Sequence, residues 1–166
     1  MTEPSTSPNS RTGGQILVDA LRIHGVDTAF CVPGESYLAV LDALYDAANE
    51  IRLITCRHEA GAANMAEAYG KLTGEPGVCL VARGPGACHA SIGIHNASQD
   101  STPMVVLVGQ VARRDQDREA FQEIDYGQMY GGIAKWVAQI DDPARIPEFM
   151  SRAFHLATSG RPGPVV

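Results

Sequence analysis

The chain has 166 residues, 45% of them hydrophobic and 19% charged, the composition of an ordinary globular domain. That length suits one domain, burying around 70% of the surface its unfolded chain would expose. The net charge of −6 comes without a Lys/Arg cluster, which argues against a nucleic-acid partner. No apolar run approaches the roughly 18 residues needed to span a bilayer, so no membrane partner is expected.

The chain opens on MTEPSTSPNSRTGG, which has no apolar core and is no secretory signal; residues 1–12 read as a disordered leader before a domain over 13–166. Ile16, Leu17, Ala20, Leu21 and His24 recur at helical spacing from Gly14 to His24, and Gly25 follows as a C-terminal stop. Thr28–Val32 predicts a short buried strand ended by Pro33-Gly34. Ser36 is placed to cap the next helix, whose apolar stripe is Leu38, Leu41, Leu44 and Tyr45. A strand is expected over 51–56, a helix over about 60–73 ended by Gly74, and a third strand over Val78–Ala82. Gly84-Pro85-Gly86 then reads as a turn before a helical stretch through Gln99. Met104–Val108 is an uninterrupted apolar run, as a central parallel strand covered on both faces requires. Arg113-Arg114, followed by Asp115 and Asp117, reads as a solvated loop. A further strand is expected over Ala134–Ile140, and a last helix over Pro143–Ser159 with Gly160 beyond it. This β/α alternation implies a three-layer αβα fold with a mostly parallel central sheet. The sequence closes on Gly160-Arg161-Pro162-Gly163-Pro164-Val165-Val166, a turn leading into an apolar run, which reads as a domain truncated at its C-terminal end.

The strand ends carry the chemistry. Pro33-Gly34-Glu35, His58-Glu59, Arg83-Gly84-Pro85-Gly86 and Gly109-Gln110 fall at the carboxyl edge of the sheet, where ligands of open α/β sheets bind. Glu59 stands where a strand hands over to an Ala/Gly-rich helix. There it can point into the cleft, or it can simply complement the positive end of a helix dipole. The usual phosphate devices are missing: there is no GxxxxGKS/T loop, and Gly84-x-Gly86-x-x-His89 lacks the third glycine of the dinucleotide turn. A GxSxG nucleophile elbow is also absent. Cys31, Cys56, Cys79 and Cys88 form no Cys-x-x-Cys pair, which favours a reducing, cytoplasmic setting. No His-x-x-x-His pair occurs, and no metal site is expected from this chain.

Six ordered blocks then carry a resemblance: FCVPGES (30–36), CRHEAGAANMAEAYGKLTG (56–74), RGPGACHASIGIHNA (83–97), DSTPMVVLVGQV (100–111), REAFQEID (118–125) and ATSGRPGPVV (157–166). Together they resemble the N-terminal, pyrimidine-binding domain of thiamine-diphosphate-dependent enzymes, in the acetolactate (acetohydroxyacid) synthase branch. The resemblance implies an enzyme acting on 2-keto acids as a carboligase or decarboxylase. It also implies a homodimer or homotetramer with active sites between subunits. The diphosphate and Mg²⁺ would be held by a separate C-terminal domain, so this stretch alone would be inactive. Glu59 would share a proton with N1′ of the cofactor's aminopyrimidine and favour the imino form that deprotonates thiazolium C2.

Pro33, Gly34 and Glu35 match the loop near the pyrimidine and the substrate pocket, and Gly84, Pro85 and Gly86 match the turn beneath the cofactor in the partner subunit's site. Phe121 and Gln122 match a segment near substrate and flavin, and Lys135 a lysine facing the same channel; for Phe121 a core aromatic is the competing reading. Arg83, Cys88 and His89 stand where the synthases usually have Ser, Thr and Asn, and Glu35 where they have a small residue. Arg83 and His89 therefore bear on the substrate, and the presence of FAD stays open. A second reading is a non-catalytic module for dimerisation or for holding a flavin. Small residues Gly61, Ala62, Ala63 and Ala66 suit either an interface or tight packing within one subunit.

Overall fold

A computed structural model describes residues 10–166. Most of the leader expected over residues 1–12 lies outside the described residues. Thr12 itself is tied down: it accepts from the Gln15 amide (3.2 Å) while its own amide donates to the Gln15 side chain (2.9 Å). This capping box satisfies two donors that a helix start leaves unpaired. It starts α1 (Gly13–Ile23), which stops at His24 and Gly25, the latter at φ +74°.

There follow β1 (Thr28–Cys31), α2 (Leu38–Asp46), β2 (Arg52–Thr55), α3 (Glu59–Thr73), β3 (Gly77–Ala82) and α4 (Arg83–Asp100). The chain continues through β4 (Met104–Gly109), α5 (Tyr126–Tyr130), α6 (Ile146–Thr158) and β5 (Pro164–Val165). The five strands are all parallel, in the order β2-β1-β3-β4-β5. Connections run outward in both directions from the β1/β3 pair. That point opens a crevice outside the strands' carboxyl ends.

Side chains alternate across the sheet and fill two cores. Ala29, Cys31, Val78, Leu80, Val105 and Val165 face Leu21, Leu44, Met150 and Phe154 of α1, α2 and α6. Phe30, Cys79, Val81, Met104 and Val106 face Ala63, Ala66, Ala90, Ile94 and Tyr130 of α3, α4 and α5. The strand alternation and the two helical layers give the expected αβα sandwich. Each fully buried Leu, Ile or Phe contributes about 1.5–3 kcal/mol relative to an exposed one.

Several local expectations need correction. Ser36 does not cap a helix: residues Glu35–Tyr37 form a single 3-10 turn, and the Ser36 hydroxyl is buried with no hydrogen-bond partner. In α2, Leu44 is buried, but Leu38 and Tyr45 are 62% and 82% exposed, so the expected stripe is too wide. Gly84-Pro85-Gly86 is not a turn; it is the first turn of α4, which begins at Arg83. The stretch 134–140 is not a strand. It makes a parallel bridge, Trp136 to Val165, with the Lys135 and Ala138 amides donating to the Pro164 and Val166 carbonyls. The last helix begins with a 3-10 turn at Pro143–Arg145 before α6 proper.

Candidate functional site

Helices α3 and α4 approach closely because their shared face is made of small residues. Ala62, Ala63 and Ala66 of α3 and Ala87, Ala90 and Ala97 of α4 are all fully buried. A Cβ on Gly93 would lie 2.6 Å from Ala63, so only glycine allows this separation. The alanines of α3 thus serve packing inside the subunit, while Gly61 remains exposed.

That approach sets Glu59, the first residue of α3, against the start of α4. Glu59 Oε2 is 2.8 Å from His89 Nδ1, with side-chain exposures of 15% for Glu59 and 53% for His89. Oε1 lies 3.5 Å from the position a Cβ on Gly86 would take, and it has no hydrogen-bond partner among the described residues. His58 caps α3: its Nδ1 accepts the Ala60 amide at 3.1 Å. The His58 ring stacks on His89 at 4.4 Å and 27°. The ligating atoms of His58, Glu59 and His89 fall within 4.8 Å of one another, a spacing one metal ion would span. The tautomer argues against that use. A His58 Nδ1 that accepts a hydrogen bond leaves the proton on Nε2, where a metal needs a lone pair.

A second group forms around Arg83, which sits at φ +37°, an uncommon backbone for a side chain of this size. Its guanidinium pairs with Glu35 (2.9 Å), lies 5.8 Å from the Phe121 ring, and is only 17% exposed. Its Nε is buried without a partner. The Gly84 amide donates to the Gln122 carbonyl at 2.9 Å, so Glu35, Arg83, Phe121 and Gln122 are brought together. Phe121 is 71% exposed, which overturns the core-aromatic reading. Glu123 clasps this loop by accepting the Asp117 amide (2.7 Å) and the Ala120 amide (2.9 Å). Those bonds, the Ala120 amide foremost, hold its carboxyl below the usual glutamate range.

Pro33 is exposed beside Gly34, where a Cβ would strike Ala82 at 2.4 Å; this glycine is needed for the crossing of the β1 and β3 ends. Tyr37 donates to the Val32 carbonyl and packs under that crossing; burial pushes its hydroxyl far up. Tyr126, another residue the sequence reading passed over, has a buried hydroxyl without a partner, pushed up to about 12 chiefly by burial. Lys135 is a correction. Its ammonium binds the Leu156 and Ser159 carbonyls at the end of α6, and its amide donates to Pro164. Pro164 is in register with Met104, the start of β4, so Lys135 lies at the opposite edge of the sheet from Glu59.

A cleft of about 1160 Å³ lies away from Glu59, beside β4 and lined in part by Leu107, Val108, Gly109, Gln110, Trp136 and Ile140. β4 pairs with β5 at Met104 and Val105.

Comparison with known proteins identifies the family. A family model described as "Thiamine pyrophosphate enzyme, N-terminal TPP binding domain" matches residues 11–129. An acetolactate synthase of Arthrospira platensis is 44% identical over 157 residues, covering 93% of this chain and 27% of that protein. The probable acetolactate synthase large subunit of Methanocaldococcus jannaschii is 42% identical over 153 residues, covering 92% and 26%. The chloroplastic acetolactate synthase of Arabidopsis thaliana is 41% identical over 156 residues, covering 94% and 23%. The chain thus spans about a quarter of the length of these relatives. By its ordered motifs, its parallel sheet and this match over most of its residues, the chain belongs to the N-terminal TPP-binding domains of thiamine pyrophosphate enzymes.

Proposed function

We propose that Glu59 receives the aminopyrimidine ring of thiamine diphosphate, and that residues 13–166 are the pyrimidine-side domain of a longer 2-keto acid carboligase or decarboxylase of the acetolactate synthase kind. The observation carrying this reading is the Glu59 carboxyl. It is largely shielded at the carboxyl edge of the sheet, with Oε2 engaged and Oε1 unpartnered. The absence of a side chain at Gly86 leaves the approach to Oε1 uncrowded, which suits a flat ring. When bound, the cofactor supplies a nucleophilic carbon that adds to the keto group and accepts the electrons released on decarboxylation. Glu59 holds a proton at Oε1 against the ring nitrogen. Pro33, Gly34, Glu35, Gly84, Pro85 and Gly86 would line the cleft that holds the cofactor.

The Arg83 guanidinium, 5.8 Å from the Phe121 ring, supplies a charge that suits the carboxylate of a 2-keto acid. Mg²⁺ and the diphosphate fall to residues outside this chain, so the 166-residue piece turns nothing over. Met65 and Ile92, 41% and 54% exposed on α3 and α4, support a homodimer or homotetramer closing over this layer. The four cysteines are free, as a cytoplasmic setting favours. Among the described residues no helix is long and apolar enough to cross a membrane. FAD is a separate question, answered by flavin absorbance of the purified full-length protein.

The test is Glu59→Gln in the full-length protein. Gln can hydrogen-bond but cannot exchange the proton, so keto-acid consumption falls about 100- to 10,000-fold while the cofactor still binds. Near-normal turnover refutes the assignment.

A further inference from the structure

Glu59 alone is a poor proton-exchange device. Its side chain has three rotatable bonds, and fixing such a chain costs rotamer freedom. Something must select the rotamer that leaves Oε1 open to the cleft. Resting on the reading of the cleft given above, we infer that His89 is the positioning residue: it donates from Nδ1 to Oε2 and thereby presents Oε1 to the ring nitrogen.

Three further features make this contact a built one. The ring of His89 cannot swing freely, because His58 stacks on it at 4.4 Å. His58 is in turn held by the Ala60 amide, which belongs to the helix that Glu59 starts. The glycine and alanine face between α3 and α4 fixes the distance between the two backbones. A chain of contacts therefore runs from the Ala60 backbone through His58 and His89 to the Glu59 carboxyl. His89 is half exposed, so its Nε2 stays in water and the ring bears no buried unpaired polar group.

Two measurements test the role. In the protein without cofactor, long-range ¹H–¹⁵N NMR should find the His89 proton on Nδ1, and Glu59→Ala should move it to Nε2. A wild-type proton on Nε2 overturns the contact, whatever the cofactor. In the full-length protein, His89→Ala should slow deuterium exchange at the cofactor's C2 and lower kcat together, by about 10- to 100-fold, the effect of a misplaced catalytic group. The Kd for thiamine diphosphate should stay within about threefold, since the contact acts on the carboxyl and not on ground-state affinity. His89→Asn, whose amide can donate from nearly the same place, should regain most of the loss. Wild-type exchange in His89→Ala, or no recovery in His89→Asn, overturns positioning and leaves the reading of the cleft intact. Failure of the wild type to bind thiamine diphosphate overturns both.

Discussion

Gly93→Ala tests whether the α3–α4 distance is set by side-chain size. A methyl group built on Gly93 lies 2.6 Å from both the carbonyl carbon and the Cβ of Ala63, and 2.9 Å from its oxygen. Carbons in comfortable contact are about 3.5–4.0 Å apart, so the helices must separate by roughly 1 Å. Overpacking of this kind costs about 1–3 kcal/mol, and the upper part of the range applies because the blocking atoms are mostly main chain. Better helix propensity returns about 1 kcal/mol. The net loss is about 1–2 kcal/mol, which for a chain this long lowers Tm by about 3–6 °C. Gly61→Ala is the control. That glycine lies in the partner helix α3, and a methyl group there meets nothing within 4 Å. It should gain about 0.5–1 kcal/mol. Thermal unfolding followed by far-UV circular dichroism reads both. A Gly93→Ala protein as stable as the wild type refutes the packing argument, as does destabilisation by Gly61→Ala.

Other outcomes follow from particular contacts. The Glu123 carboxyl has its pKa lowered in the fold, so its stabilisation of the 117–123 loop is present above the unfolded-state value and lost as pH falls through the folded one. Amide exchange at Asp117 and Ala120 should therefore quicken on acidification below the ordinary glutamate range, and Glu123→Gln should abolish that dependence. Unchanged protection at low pH counts against the clasp. Lys135→Met removes the donor to two carbonyls at the end of α6 and should cost about 1 kcal/mol of stability while leaving turnover of the full-length protein unaltered. A large fall in turnover would place Lys135 back at the site.

What could be read from the sequence depended on how local the deciding interaction was. The β3 and β4 runs, the Gly25 and Gly74 stops and the Glu59 handover are set by neighbours along the chain. Alternation with glycines at the strand ends was enough to give the fold class and one edge of the site. The 134–140 strand failed for a non-local reason. Its β-rich pattern is genuine, and its amides at Lys135 and Ala138 bond the Pro164 and Val166 carbonyls, but the pairing amounts to one bridge, Trp136 to Val165. Ser36 failed because a hydroxyl's chemistry was assumed without the packing: a Cβ on Gly109 would sit 2.0 Å from its Oγ, so that oxygen points into β4 and not back along its own helix. Lys135 was carried by likeness alone, and the parallel register of β5 places it at the other edge. The Glu59–His89 contact joins residues 30 apart in sequence, and no periodicity announces it. What pointed toward it was chemical: a histidine at a position where the resembling synthases usually have asparagine.

Both clusters at the sheet's carboxyl edge are carried by the first half of one helix. Arg83 begins α4 and holds Glu35; Gly84 is tied by its amide to Gln122; Gly86 faces Glu59; and His89 holds that carboxyl. One more bond pins the same segment from below, where the Tyr130 hydroxyl of α5 donates to the Ala87 carbonyl at 2.6 Å. Helical geometry gives these residues fixed mutual positions, since every turn advances by about 5.4 Å. A group bound by Arg83 and a group bound at Glu59 would thus be held at a set separation by a single rigid element packed on Ala63. This explains why the small residues matter beyond stability. They seat the helix that sets both halves of the site, so a change of one methyl group between α3 and α4 is expected to shift the carboxylate-binding and ring-binding positions together.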